Sequence, residues 1–258
     1  MNRPIRDWRA QRVWIVGASS GIGAALAQAL LARGARVALS ARRGDELVRL
    51  AGEAKDAEQA LVLPLDLGDT AAFAAALERL VRDWGGIDLV VFCAGTWTPM
   101  AAARLDANAI GRTLAINLQA PMTASAALVP RLLAQGRGAI AFVSSVSGYR
   151  GLPQAAAYGA SKAGLSHFAE TLHLELAPRG ISVYLINPGF VATPMTATNA
   201  FRMPALITPE EAADEIISGL ARSAFEIHFP RRFTFWLKLL RLLPYRIYFP
   251  LARRLTGA

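Results

Sequence analysis

The sequence predicts an α/β fold in which a parallel sheet is doubly wound, with helices packed on both of its faces. Short hydrophobic runs recur along the chain, and they are hydrophobic throughout instead of alternating, as in strands buried on both sides. Longer stretches with helical patterning separate these runs, and that order requires right-handed β-α-β crossovers. The chain has 258 residues, of which 53% are hydrophobic and 18% charged, so it can bury one large core.

The hydrophobic runs place the individual elements. Strands are predicted over residues 13–16, 36–40, 61–65, 88–92, 139–143 and 181–186, with a candidate seventh at 225–229. Crossover helices are predicted between them, for example over residues 22–33, 71–84, 111–133 and 161–177. The composition changes only near residue 230. We therefore expect a single domain over residues 1–230, followed by a hydrophobic and basic helical tail over residues 231–258.

Composition also excludes several classes of protein. The net charge is +9, but seven of the cations follow Glu226, which is the last acid. The body of the chain is therefore close to neutral, and no nucleic-acid partner is predicted. A single cysteine, Cys93, allows no disulfide framework, and residues 1–11 lack the hydrophobic core of a signal peptide, so we expect a cytoplasmic location. The histidines have no metal-ligand spacing, and no metal is predicted.

A glycine-rich turn follows the first predicted strand and leads directly into a helix. Glycines allow a sharp turn and a close approach of backbone to a diphosphate, and the helix N-terminus adds free N–H groups. The spacing is G-x-x-x-G-x-G, and an ordinary strand-to-helix turn is the alternative. The residues predicted to hold the diphosphate are Gly17, Ser19, Ser20, Gly21, Ile22 and Gly23.

The end of the second strand bears on the choice of cofactor. NAD-binding units carry an acid there for the ribose 2′-hydroxyl, but this chain has Arg42 and Arg43. A guanidinium is a permanently charged, planar partner for a phosphate. We therefore predict that NADP(H) is favoured over NAD(H), with Arg42 as the first contact and Arg43 as the second. The alternative is that both arginines are solvated charges at the start of a helix.

A tyrosine and a lysine four residues apart form the candidate acid–base pair. Tyr158 and Lys162 share one helical face, and a nearby ammonium is expected to lower the pKa of a phenol towards neutrality. Ser145 follows the fifth strand, at the edge where open α/β sheets bind ligands. Its hydroxyl could donate to a substrate oxygen, although Ser144 and Ser147 are alternatives.

Together these motifs resemble, in order, those of the short-chain dehydrogenase/reductase superfamily, in the branch whose chains have about this length. The resemblance extends from about residue 12 to about residue 220 and includes the glycine turn and the Tyr-x-x-x-Lys pair. It implies a Rossmann-like fold and a homodimer or homotetramer. It further assigns cofactor contacts to Asp66, Leu67, Ala94, Gly95, Tyr158, Lys162, Pro188, Gly189 and Thr193, and a catalytic place to Asn117.

The resemblance also implies roles. Tyr158 would exchange the proton, Lys162 would lower the pKa of Tyr158 and hold the nicotinamide ribose, and Ser145 would orient the substrate oxygen. Asn117 would hold a water that links Lys162 to solvent, although its amide could instead be satisfied by the backbone. Cys93 replaces the asparagine usual in this family, from which we expect a local structural effect and no redox role.

These features predict an enzyme that transfers a hydride between NADP(H) and a carbonyl or secondary alcohol carbon. A non-catalytic dinucleotide sensor or scaffold is the alternative. The segment over residues 190–207 should form much of the substrate wall, with Met195, Phe201, Met203 and Leu206 among few charges. That composition disfavours a highly charged substrate, and the hydrophobic tail suggests a hydrophobic ketone or aldehyde.

The tail allows two interpretations. Its hydrophobic residues are interrupted by regularly placed cations, and Pro244 should end or kink its first helix. Such a segment could lie peripherally on a membrane surface. It could equally close over the substrate pocket or pack against a second copy of the chain.

Overall fold

The structure, a computed structural model, describes residues 2–9, 11–199 and 203–256. Seven strands form one sheet in the order β3-β2-β1-β4-β5-β6-β7, and every neighbouring pair is parallel. This arrangement confirms the predicted doubly wound sheet. The strands are β1 (Arg12–Val16), β2 (Arg36–Ser40), β3 (Ala60–Val62), β4 (Leu89–Phe92), β5 (Gly138–Val143), β6 (Ile181–Pro188) and β7 (Glu226–Phe229).

Helices connect the strands and extend the chain beyond the sheet. They are α1 (Gly21–Ala32), α2 (Gly44–Ala51), α3 (Thr70–Trp84), α4 (Ala107–Leu114), α5 (Ala120–Gln135), α6 (Ala156–Leu176), α7 (Pro209–Ala221), α8 (Arg231–Arg241) and α9 (Tyr245–Thr256). A π-helical turn at Ala115–Gln119 joins α4 to α5, so the helix predicted over residues 111–133 is interrupted. The third strand is shorter than predicted, although Leu63 and Leu65 still donate to the carbonyl oxygens of Leu39 and Ala41 beside it.

A hydrophobic core covers each face of the sheet. On one face Ile15, Leu30, Val37 and Ile216 belong to a cluster that includes helices α1 and α7. The other face is filled by aromatic rings that continue from strand to helix. Centroid distances of 4.6 Å for Trp14–Phe73, 6.0 Å for Phe73–Phe92, 5.4 Å for Phe92–Phe142 and 5.7 Å for Phe142–Phe168 describe this row of rings. Both faces are therefore closed, and the carboxyl edge of the sheet remains open for a site.

Candidate active site

A cleft of about 660 Å³ lies at the carboxyl ends of the parallel strands. In open α/β sheets this edge is where ligands bind. The cleft is lined by predicted site residues from seven separate segments of the chain. These are Gly17, Ser19, Ser20, Gly21, Ile22, Arg42, Arg43, Asp66, Leu67, Ala94, Gly95, Ser145, Tyr158, Lys162, Pro188, Gly189 and Thr193. Two predicted residues, Gly23 and Asn117, lie behind this lining.

The glycine turn brings backbone against backbone. Gly17 has φ +103°, and a Cβ added there would lie 2.4 Å from the amide nitrogen of Ala94. A Cβ on Gly23 would lie 2.1 Å from the carbonyl oxygen of Gly17, so this glycine serves the packing of the turn and not the lining of the cleft. Side chains at these two positions would push the turn apart.

Helix α1 begins at the floor of the cleft with its N-terminus uncapped. Ser20 has extended backbone and makes no side-chain cap hydrogen bond, and the first turn of α1 has no acid. The first N–H groups of the helix are therefore available to an anion, and the helix dipole favours negative charge there. These residues fit the diphosphate of a dinucleotide.

Two arginines and one acid line the far end of the cleft. Arg43 Nη2 donates to Ser19 Oγ at 3.0 Å, so its guanidinium lies beside the glycine turn, and Arg42 lies next to it. Asp66 Oδ1 accepts a hydrogen bond of 2.9 Å from the backbone N–H of Gly68, which fixes this carboxylate at the rim. Cations therefore outnumber acids where the adenosine half of a dinucleotide would lie.

Helix α6 carries the tyrosine and the lysine into the other end of the cleft. Lys162 is buried, and its Nζ lies 5.7 Å from the centroid of the Tyr158 ring. Lys162 Nζ donates to the carbonyl oxygen of Val143 at 2.8 Å, which anchors the ammonium to the end of β5. The Ser145 hydroxyl interacts with the phenol of Tyr158 and acts to lower its pKa. Three polar side chains from two elements therefore converge on one point.

Burial dominates the pKa values of this pair. It raises the pKa of Tyr158 above its ordinary value, and the hydrogen bond with Ser145 opposes that rise. Burial also lowers the pKa of Lys162 to about 8. The sequence-based expectation that Lys162 lowers the pKa of Tyr158 thus differs from the structure, in which the ammonium is anchored on Val143 and desolvation of the phenol prevails.

Asn117 is buried in the π-helical turn and hydrogen-bonds with the segment that follows β4. Its Oδ1 accepts from the N–H of Thr96 at 2.8 Å, and its Nδ2 donates to the carbonyl oxygen of Thr96 at 2.9 Å. A further bond of 3.2 Å runs from Nδ2 to Ser161 Oγ. The amide is therefore satisfied by backbone and a neighbouring helix, and it fixes the segment that follows β4. A Cβ added to Gly95 would lie 3.4 Å from Asn117 Oδ1 and 3.7 Å from Lys162 Nζ, so these groups meet beside Gly95.

Of the two alternatives to Ser145, Ser144 also lines the cleft and Ser147 does not. Ser144 Oγ donates to the carbonyl oxygen of Lys162 at 2.9 Å, which ties β5 to α6. Ser147 contributes its N–H to Ser145 Oγ at 3.1 Å. Cys93 lines the cleft, and burial raises the pKa of its thiol to about 11, so the thiol stays protonated at neutral pH.

Sequence reasoning missed Trp97, which packs edge-on against Tyr158 with ring centroids 5.1 Å apart. Its Nε1 donates to Asn199 Oδ1 at 3.0 Å, and Met195 lines the cleft close by. The position of Trp97, just after the Cys-Ala-Gly segment at the end of β4, was the signal that could have identified it. Of the predicted substrate wall, Phe201 lies outside the described residues.

The last two helices pack against loops of the site. A Cβ on Gly189 would lie 3.1 Å from the Phe233 ring of α8, and Phe190 and Phe233 have centroids 5.8 Å apart. Glu226 accepts hydrogen bonds from Tyr149 and from Asn187, and Lys238 Nζ lies 2.6 Å from its Oε2. The start of the tail is therefore joined to two segments, to one at Tyr149 through Glu226 and to one at Gly189 directly. These segments flank the end of the cleft that holds Tyr158, which we call the reacting end.

The second tail helix is held by Arg150. This guanidinium lies 4.7 Å from the Tyr245 ring centroid and 4.3 Å from that of Tyr248, and it donates to the carbonyl oxygen of Leu243 at 3.0 Å. Tyr248 in turn donates to the carbonyl oxygen of Gly151 at 2.6 Å. Within the described residues, no helix combines the length and the hydrophobicity needed to cross a membrane. The first helix of the tail, α8, ends at Arg241, before Pro244.

Known proteins resemble this chain in both sequence and fold. The family model for short chain dehydrogenases matches residues 11–202. An uncharacterized oxidoreductase of Myxococcus xanthus is 38% identical over 244 residues, covering 93% of this chain and 96% of that protein. An uncharacterized oxidoreductase of Mycobacterium tuberculosis is 35% identical over 199 residues, covering 75% of this chain and 78% of the relative.

A solved structure gives the same fold. The crystal structure of a short-chain dehydrogenase from Streptomyces avermitilis superimposes with a TM-score of 0.78 over 96% of this chain and 98% of that chain, at 24% identity. This likeness concerns the fold alone, whereas the sequence matches identify the relatives. The chain belongs to the short-chain dehydrogenase/reductase family, whose members bind a nicotinamide dinucleotide and act on CH–OH groups.

Proposed function

We propose that the protein is an NADP(H)-dependent reductase of hydrophobic ketones or aldehydes, with Tyr158 as its proton donor. One observation carries the proposal: Tyr158, Ser145 and Lys162 line the same cleft as the glycine turn and the paired arginines. The nicotinamide supplies the hydride when it is bound. The remaining chemistry, which consists of holding the substrate oxygen and giving it a proton, falls to side chains of this chain.

The protonation state of Tyr158 favours reduction. Because burial raises its pKa, the phenol keeps its proton at neutral pH and can donate it to an oxygen that gains negative charge. Ser145 would hold that oxygen by a second hydrogen bond, since its hydroxyl already interacts with the phenol. Lys162, with a pKa of about 8, is mostly cationic at pH 7 and would hold the ribose and stabilise the phenolate that remains when Tyr158 gives up its proton.

Substitution of the tyrosine tests the proton donor. In Tyr158→Phe we expect kcat to fall by roughly 10²–10⁴-fold, the usual contribution of a general acid, while NADPH binding changes little. NADPH fluorescence titration and NADPH consumption measure the two effects separately. Tyr149→Phe is the matched control, because that phenol bonds to Glu226 outside the cleft lining. Substantial reductase activity in Tyr158→Phe would refute the assignment.

The preference for NADP(H) is supported by the charges at the far end of the cleft. Arg42 and Arg43 line it, and Asp66 is already engaged with Gly68. We expect kcat/KM to favour NADPH over NADH, and each arginine-to-alanine change to reduce that preference by roughly 10-fold or more. Arg49→Ala is the control, because this exposed arginine of α2 pairs with Glu46 and Glu53. A wild-type preference for NADH would contradict the proposal.

The substrate class is supported by the side chains near Tyr158. Trp97 and Met195 are hydrophobic, and neither brings a charge to the reacting end of the cleft. A panel of aldehydes and ketones graded by size and hydrophobicity, with NADPH consumption as the readout, tests this part. We expect kcat/KM to rise with hydrophobic size, and a preference for charged substrates would contradict it.

Assembly and location complete the proposal. We propose a homodimer or homotetramer in the cytoplasm, with the tail as a contact surface for a membrane or a second copy. Light scattering of the full chain measures the mass in solution. The full set of Ser145, Tyr158 and Lys162 favours turnover over the role of a non-catalytic sensor or scaffold.

A further inference from the structure

Exposed hydrophobic side chains are concentrated in the last two helices. Eight of the thirteen large hydrophobic residues exposed in the described part of the chain lie within a stretch of 21 residues. We call these eight the tail face: Phe235, Trp236, Leu239, Leu242, Tyr245, Ile247, Phe249 and Leu255. Trp236 is 65% exposed and Leu242 is 78% exposed. A concentration of this kind marks an interaction surface, whereas single exposed residues are ordinary.

The geometry of α8 directs this stripe away from the protein. Phe235, Leu239 and Leu242 follow the i, i+4, i+7 spacing of one helical face, and all three are exposed. Phe233 packs on Gly189, and Thr234 is buried beneath the helix, so the opposite face is the one that contacts the domain. The hydrophobic stripe is therefore not part of the core of this chain.

Cations without acidic partners surround the tail face. Arg231, Arg232, Arg241, Arg246, Arg253 and Arg254 are exposed, and no carboxylate of the described residues pairs with them. Lys238 is the exception, since it pairs with Glu226. No acid follows Glu226 in the sequence. The surface therefore offers guanidinium groups, which suit phosphate oxygens, next to aromatic and aliphatic side chains.

This combination fits an anionic bilayer better than a second copy of the chain. A twofold contact through the tail face would bring the same unpaired arginines of both copies together without any acid to neutralise them. At a membrane interface, by contrast, tryptophan and leucine enter the headgroup boundary and arginines remain among the phosphates. We propose that the tail face docks on a bilayer rich in anionic phospholipid, with α8 and α9 lying along its surface.

The docking surface adjoins the reacting end of the cleft. Arg150, five residues after Ser145, contacts Tyr245 and Tyr248, and Phe233 of α8 contacts Gly189. A bilayer on the tail face would therefore lie beside the loops that flank Tyr158. This part of the inference deepens the proposed function, on which it rests: a hydrophobic carbonyl compound would reach the site from the lipid.

Co-sedimentation with vesicles tests the inference on the full chain. We expect the protein to sediment with vesicles that contain phosphatidylglycerol. With vesicles of pure phosphatidylcholine, most of the protein should stay in the supernatant. The triple variant Phe235→Ser, Trp236→Ser, Phe249→Ser should lose at least roughly tenfold in partitioning, and Arg253→Gln with Arg254→Gln a similar amount. Val48→Ser with Leu174→Ser is the matched control, because both residues are exposed at sites distant in sequence from the tail.

Three outcomes would overturn the inference. They are equal partitioning of wild type and both tail variants, equal binding to the two vesicle types, and conversion of an oligomer to monomers by the triple variant without any vesicle binding. NADPH consumption with a water-soluble aldehyde, measured without vesicles, separates this result from the proposed function. We expect that activity to persist in the tail variants, and its absence from the wild type would count against the reductase and not against docking.

Discussion

The glycine turn and the tail face lie at two borders of the molecule, and they are built in opposite ways. At the turn, glycines bring backbone against backbone, and Gly17 lies so close to Ala94 that a single Cβ would not fit. At the tail face, large side chains such as Trp236 and Leu242 are mostly exposed, and the ring of Trp236 contacts that of its neighbour Phe235. The turn is explained by contacts within the fold, whereas for the tail face we propose a partner outside the chain. Substitutions should therefore affect folding and cofactor binding at the turn, and intermolecular contacts at the tail.

The largest effect is expected at the turn itself. Gly17→Ala places a Cβ 2.4 Å from the amide nitrogen of Ala94 at φ +103°, so the turn must open or the backbone must change. We expect NADPH affinity to fall at least roughly 100-fold, with a loss of a few kcal/mol in the free energy of unfolding. Cofactor titration and denaturant unfolding measure both.

A second glycine provides the control for this prediction. Gly111 lies in helix α4, where an added Cβ would meet nothing within 4 Å. Gly111→Ala should therefore stabilise the protein by about 0.5–1 kcal/mol and leave NADPH binding unchanged. Equal effects of the two substitutions would show that the turn is not a site of close packing.

The buried cation of the cleft should behave unlike the exposed cations of the tail. The pKa of Lys162 falls from 10.5 to about 8 in the folded protein, so below pH 8 the buried charge is retained and destabilises the fold. Between pH 8 and 9 the folded state loses this proton before the unfolded state does. The unfolding free energy of the wild type, relative to that of Lys162→Met, should therefore rise by roughly 1 kcal/mol from pH 8 to pH 9.

Urea unfolding of both proteins at pH 8 and pH 9 measures this difference, and the comparison cancels contributions from other groups that titrate in both. Arg254→Gln, which removes an exposed tail cation, should show the pH dependence of the wild type. A pH dependence shared by the wild type and Lys162→Met would exclude Lys162 as the cause.

A smaller effect is expected where the two regions are joined. Lys238 pairs with Glu226, which also accepts hydrogen bonds from Tyr149 and Asn187. Lys238→Met leaves a half-buried carboxylate with less compensation, and we expect a loss of about 1 kcal/mol in unfolding free energy. The double variant with Glu226→Gln should recover part of that loss. No recovery would mean that Lys238 acts through packing and not through charge.

The smallest effect is expected on the tail face. Trp236→Ser removes a side chain that is 65% exposed, so the unfolding free energy should change by less than about 0.5 kcal/mol. Trp14→Ser, which removes a fully buried indole from the row of rings, should by contrast cost several kcal/mol. A large loss for Trp236→Ser in a monomeric sample would show that the tail face is covered within the chain.

The sequence allowed prediction of features whose causes are local. Continuous hydrophobic runs located the buried strands, and the spacing of Tyr158 and Lys162 identified two residues that line one cleft. The π-helical turn escaped prediction, and so did the pairing of its Asn117 with Thr96, which joins two segments distant in sequence. Trp97 also escaped prediction, since its contact with Tyr158 joins two residues that are distant in sequence. Composition predicted the tail helices but not which of their faces contacts the domain.

Arg150 has a practical consequence for the design of reporter proteins. Its guanidinium rests on the rings of Tyr245 and Tyr248, and the same residue belongs to the loop that follows Ser145. The last helix is thereby joined to a loop near Ser145. A dye attached near Tyr245 would therefore report on the surroundings of that loop by its change in emission.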